Sequence, residues 1–120
     1  MNDAHGDPSA QEAAVDAVFA ALADGTRRDV VARLAQAPAT ATELAAALPV
    51  SRQAIAKHLD VLEHAGLVQR TREGRAVRYH LTPAPLGPAM AWMVDVGAEW
   101  DGALARLAVL AAEEESWQAR

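Results

Sequence analysis

The 120-residue sequence predicts a mainly α-helical fold with one β-hairpin, in the order α-α-α-α-β-β-α, and three observations carry that prediction. Thirty residues are alanine, which loses no side-chain entropy in a helix. Apolar residues recur three and four apart along most of the chain, the mark of amphipathic helices. After Gly66 the period changes to two, as in half-buried strands.

Residues 1–10 show no periodicity and contain Gly6 and Pro8, so they are expected to form a disordered arm ahead of one domain over residues 11–115. From Glu12, the residues Val15, Val18, Phe19 and Leu22 fall on one helical face. Asp24 stands where an N-cap belongs, before a second helix that turns Val30, Val31 and Leu34 inward and stops before Pro38. Thr40 and Glu43 have capping-box spacing, in which hydroxyl and carboxylate satisfy each other's free backbone N–H groups. The helix they announce is short, with Leu44 and Leu48 inward and Pro49 as its stop. Ser51 caps a fourth helix with Ile55, Leu59 and Leu62 inward, ending at Gly66 in the position that favours a left-handed residue. Residues 67–72 and 76–81 read as strands around a tight turn at Glu73-Gly74. Pro83, Pro85 and Pro88 mark a boundary before a last long helix, whose stripe Met93, Val96, Trp100, Leu104, Leu107 and Ala111 fades at Glu113. A short capped helix, a tight connection through Pro49-Val50 and a longer capped helix make a helix-turn-helix. The basic hairpin after it makes a wing.

The composition excludes several function classes. Without cysteine there is no disulfide framework, thiolate metal site or catalytic thiol. No apolar run approaches the ~20 residues of a membrane span, and the polar, acidic start MNDAHGDPSA is not a secretory signal, so a soluble cytoplasmic protein is expected. No nucleophile–base–orienter set or phosphate-cradling glycine loop supports an enzyme, and no cofactor is expected. The net charge of −5 argues at first against nucleic acid. Its distribution reverses that impression: residues 51–80 hold six basic and three acidic side chains, while the other ninety hold five basic and thirteen acidic. A basic segment inside an acidic chain is a localised footprint for a polyanion.

A helix entering the major groove of double-stranded DNA presents its N-terminal residues to base edges and phosphates. Here those residues are Ser51, Arg52, Gln53 and Lys57, with Ala56 small enough for close approach. Arginine pairs with guanine, glutamine with adenine, and a helix N-terminus favours a phosphate. On the hairpin, Val77, Tyr79 and Leu81 alternate inward and Arg78 and His80 take the other face, with Arg75 at the tip and Arg72 opposite; Arg72, Arg75 and Arg78 are all placed to follow the backbone or a minor groove. His58, beside the Ile55/Leu59 face, reads equally as a half-buried packing residue or a phosphate contact; His64 and His80 read as surface residues.

The face Val15, Val18, Phe19 and Leu22 on the first helix also reads as a cap on the core of a monomer, but the terminal helix, with Trp92 and Trp100, carries more apolar length than a core of this size easily covers. Val15, Val18, Phe19, Leu22, Trp92, Val96, Trp100, Leu104 and Leu107 are therefore expected to build a symmetric homodimer. Two reading helices related by a two-fold axis would face a palindromic operator with half-sites ~34–36 Å apart.

The runs Val18-Phe-Ala-Ala-Leu-Ala-Asp-Gly-Thr-Arg-Arg28, Thr42-Glu-Leu44, Val50-Ser-Arg-Gln-Ala-Ile-Ala-Lys-His-Leu59, Leu62-Glu-His-Ala-Gly-Leu-Val68, and Gly74-Arg75 to Tyr79-His-Leu81 resemble the ArsR/SmtB family of winged-helix repressors over about residues 12–110. The resemblance implies a homodimer that represses transcription, touching DNA through the helix that starts at Ser51 and through the wing. Gly25 departs from the proline usual at that position. Metal-responsive members carry cysteines on the helix corresponding to residues 42–48, or His and Asp ligands on the terminal helix. This chain has Glu43-Leu-Ala-Ala-Ala-Leu48 and no histidine after His80, so it resembles the cysteine-free branch, and no metal is expected.

Two further readings stay open on the sequence. One is a winged-helix protein-interaction module whose basic hairpin is incidental. The other concerns control: a small apolar inducer entering near Trp92, Met93 and Trp100, or constitutive binding set by protein level alone.

Overall fold

The computed structural model describes residues 8–118, and side chains from residue 9 to residue 114. Its elements are α1 (Pro8–Leu22), α2 (Gly25–Gln36), β1 (Ala39–Thr40), α3 (Ala41–Ala47), α4 (Arg52–His64), β2 (Val68–Glu73), β3 (Ala76–Leu81) and α5 (Leu86–Gln118). They fall into two compact units divided between Ala89 and Met90. Residues 1–7 of the expected arm lie outside the described residues. Pro8–Ala10 form the first turn of α1, because proline is pre-set for the first helical position, where no N–H is needed.

In the first unit, local chemistry accounts for most boundaries. The Asp24 carboxylate accepts from the Arg27 backbone N–H at 3.0 Å, so α2 starts at Gly25. Both halves of the capping box form at α3: Thr40 Oγ1 accepts from the Glu43 N–H (3.1 Å), and Glu43 Oε1 accepts from the Thr40 N–H (2.8 Å). Ser51 Oγ accepts from the Ala54 N–H at the start of α4. The far end of α4 is a complete Schellman motif, with Gly66 N–H to Glu63 C=O and Leu67 N–H to Leu62 C=O. Gly66 has φ +76°, and a Cβ there would also meet the Pro85 ring at 3.4 Å. Leu67 is consumed by this motif, so β2 begins one residue later than the alternation suggested.

The hairpin turn also moves by one residue. Glu73 pairs with Ala76, leaving Gly74-Arg75 as the two-residue loop. Only Gly74 has positive φ (+62°), as a type II′ loop requires at its first central position. The sheet has a third strand that periodicity does not reveal. β1 pairs antiparallel with β3 (Ala39 with Tyr79, Thr40 with Arg78), giving the order β1-β3-β2. Two residues are too short to show a period.

The core of the first unit gathers Val18 and Ala21 of α1, Val30 and Leu34 of α2, Leu44 of α3, Ile55, Leu59 and Leu62 of α4, and Leu67, Val68 and Ala89. Val15, Phe19, Leu22, Val31, Leu48, Tyr79 and Leu81 pack around it half-buried. Val18, expected at a dimer interface, is 1% exposed and already covered within its own chain.

The helix α5 is 33 residues long, about 50 Å. It starts at Leu86, two residues before Pro88, because the first turn of a helix has free amides and tolerates proline. It also continues past Glu113 to Gln118. Trp92, Trp100, Leu104 and Leu107 on it are exposed, at 52–63%, and Val96 is half-buried. Among the described residues no helix is long and apolar enough to cross a membrane.

Candidate nucleic-acid interface

Helices α3 and α4 meet through the tight link Leu48-Pro49-Val50, held by a Val50 N–H to Leu48 C=O bond of 2.8 Å. With Ile55, Leu59 and Leu62 buried, the opposite face of α4 is left to solvent. Ser51, Arg52, Gln53, Ala56 and Lys57 are all exposed. Gln53 and Lys57, four residues apart, share one side.

The wing comes to the same place. Arg52 and Ala56 of α4, Thr40, Ala41 and Thr42 at the start of α3, and Arg75, Ala76, Val77 and Tyr79 of the hairpin line one groove of about 480 Å³. Arg72 lies across the ladder from Val77, and directly opposed residues of an antiparallel pair leave the sheet on the same side. Arg52, Lys57, Arg72 and Arg75 form no ion pair or hydrogen bond among the described residues. The four cations are therefore free to meet an external anion.

Arg78 is placed differently. It lies on the other face of β3, where its Nε donates to Glu73 Oε1 at 3.1 Å and its Nη1 approaches Glu43 Oε1 and the Pro38 carbonyl at 3.4 Å. Two carboxylates neutralise it, and the contact to Glu43 ties the wing to the capping box of α3. Arg70, not among the expected contacts, makes a two-pronged pair with Glu63 of α4 (2.9 and 2.6 Å), tying the base of the wing to the C-terminal end of that helix. No local signal marks the contact between Glu43 and Arg78, which are 35 residues apart.

His64 is exposed, as expected. His80 is not: it is half-buried, and its Nε2 has no hydrogen-bond partner among the described residues. His58 is also half-buried, with Nδ1 3.4 Å from Arg27 Nη1 and 3.9 Å from Asp24 Oδ2. Among the described residues no three His, Asp or Glu side chains converge as a metal site would need.

The paired carboxyls sit below their ordinary range. The Arg70 guanidinium holds Glu63 down, chiefly by its hydrogen bonds and then by its charge, and the same pair pushes Arg70 up. Glu43 is lowered first by the Thr40 N–H and then by the Arg78 charge. Asp24 is lowered chiefly by the Arg27 N–H. Because these folded values are depressed, the stability they contribute is present above the ordinary glutamate value of 4.5 and is lost as pH falls through the folded values. The thermal midpoint is expected to fall below about pH 4.5. Glu63→Gln should lower it at neutral pH and flatten the acid limb; identical acid limbs in variant and parent would show that the Glu63 pair contributes nothing.

The comparisons with known proteins point the same way. A helix-turn-helix domain family model matches residues 22–71. The HTH-type transcriptional regulator Rv2034 of Mycobacterium tuberculosis is 44% identical over 95 residues, 79% of this chain and 86% of that protein. A solved ArsR-like transcriptional regulator from Rhodococcus sp. RHA1 is 45% identical with TM-score 0.68, covering 80% of this chain and 91% of that one. The homodimeric winged helix-turn-helix DNA-binding domain of Mb0332 from Mycobacterium bovis, described as a possible ArsR-family regulator, is 26% identical with TM-score 0.63, covering 82% of this chain and 92% of that one.

Proposed function

The chain belongs to the ArsR family of winged helix-turn-helix DNA-binding transcriptional regulators, and from that premise we propose that it is a homodimeric repressor of a palindromic operator. The observation that carries this reading is the groove that Arg52 and Arg75 both line from two elements, with Lys57 following Ala56 on α4, Arg72 across the ladder from Val77, and no carboxylate paired to any of the four among the described residues. Ser51, Arg52, Gln53 and Lys57 enter the major groove, while Arg72 and Arg75 follow the flanking backbone or minor groove. Arg78 contributes by holding the wing in place. Occupying the operator blocks transcription, the sign of control that the family resemblance implies.

A second copy of the chain covers the exposed Trp92, Trp100, Leu104 and Leu107 of α5 together with Val96, and Val15, Phe19 and Leu22 add to the interface from α1. An apolar face of that size left in water favours self-association, and the homodimeric Mb0332 domain supports the same reading. If control depends on a ligand, an apolar inducer enters at Trp92, Met93 and Trp100.

Fluorescence anisotropy tests the reading. The protein is titrated into the duplex upstream of its own gene and into a scrambled duplex, at two salt concentrations, with its mass measured by ultracentrifugation. A dimer is expected to prefer the native duplex. Four cations per protomer give a log–log salt slope of about −7. Equal, weak binding to both duplexes would sink specific recognition at that operator, and a monomer that binds would sink the dimer.

A further inference from the structure

We propose that His58 is a positioning residue: with Arg27 it fixes the roll of the reading helix α4 against the junction of α1 and α2, and does not itself touch DNA. The inference rests on the DNA-binding reading above. Lys57 and His58 are neighbours on α4 but point about 100° apart. Lys57 is exposed, whereas the His58 side chain is 19% exposed and turned towards Arg27 and Asp24. A guanidinium only donates, so the 3.4 Å approach of Arg27 Nη1 makes His58 Nδ1 the acceptor and leaves the ring proton on Nε2.

Arg27 itself is committed on several sides. Its Nε donates to the Ala21 carbonyl at 2.6 Å and its Nη2 to the Ala20 carbonyl at 3.2 Å, two groups in the last turn of α1, the second of which also accepts from the Ala23 N–H. Its backbone N–H donates to the Asp24 cap. One side chain therefore joins the end of α1 to α4 while its backbone opens α2. The apolar contacts of Ile55, Leu59 and Leu62 hold α4 against the core but are non-directional. A directed bond on the flank of α4 sets the angle at which Gln53 and Lys57 are presented.

Two isosteric substitutions separate the roles. His58→Asn puts an acceptor where Nδ1 lies, whereas His58→Gln puts its polar group where Nε2 lies. Affinity for the native and scrambled duplexes, salt slopes and amide NMR shifts of Gln53 and Lys57 are measured for both and for the parent. His58→Gln is expected to lose about 10-fold affinity for the native duplex alone, with the salt slope unchanged and the Gln53 and Lys57 amides shifted. His58→Asn is expected to restore all three to the parent values. Retention by Gln with loss by Asn, a loss shared by both duplexes with a shallower salt slope, or no change in either variant would each overturn the proposal. Failure of the DNA-binding reading looks different: the parent itself then shows no preference for the native duplex. In that case the amide shifts alone decide, and their absence in His58→Gln overturns the coupling.

Discussion

Leu59→Ala is expected to remove about 2–5 kcal/mol of folding stability, measured as a shift in the urea midpoint at unchanged m. Leu59 is fully buried, between Ile55 and Leu62 on α4, in a cluster that includes residues of α1, α2, α3 and β2. A chain of this size is stable by roughly 5–15 kcal/mol in all, so one truncation removes a large share. The cost has two parts, the lost transfer of the side chain from water and a cavity that surrounding helices cannot close without moving. Val61 is on the same helix but 39% exposed, and Val61→Ala should change stability by less than about 1 kcal/mol. Equal losses at Leu59 and Val61 would mean that the core is not centred on the inner face of α4. The helix α4, proposed to read DNA, is thus also the central helix of the core.

Replacing Arg52 and Lys57 together by alanine should abolish preferential operator binding and leave the urea midpoint where it is. Both side chains are exposed and without partners among the described residues, so their removal orphans nothing. With two copies of each in a dimer, the log–log salt slope should become shallower by about 4 if all four meet phosphates. A smaller change in slope with a larger loss of sequence preference would assign one of them, most simply Arg52, to a base edge. Arg78→Ala provides the contrast. It removes a charge already neutralised by Glu73 and Glu43, so it should weaken binding through the wing's position with little change in slope. A fall in slope as large as that of a free cation would show that Arg78 leaves its carboxylates to meet DNA. Unaltered binding in the Arg52/Lys57 double variant would move the interface away from α4.

The sequence by itself determined the features set by neighbours within about four residues. Asp24, Thr40 and Ser51 cap three helices as their spacing indicated, and Ile55, Leu59 and Leu62 bury the face their period predicted. Gly66 ends α4 because a left-handed residue is needed there, and glycine adopts it without strain. Capping reaches three residues and helical periodicity four, so both are written in adjacent letters. The winged helix-turn-helix and its basic segment were legible for that reason.

Contacts beyond the reach of capping and helical periodicity were set by folding. Thr40 pairs across the sheet with Arg78, making a strand of two residues that has no period of its own. Arg78 reads in the sequence like Arg72 and Arg75, yet folding brings Glu43 and Glu73 to it, as it brings Glu63 to Arg70. Arg27 lies 31 residues before His58 and meets it because α2 and α4 pack on the same core. Which cations remain free for a phosphate, and which are used to hold the wing and the reading helix, depends on where the carboxylates arrive. Their arrival is set by burial of the apolar faces, a non-directional force that leaves no mark at the charged positions themselves.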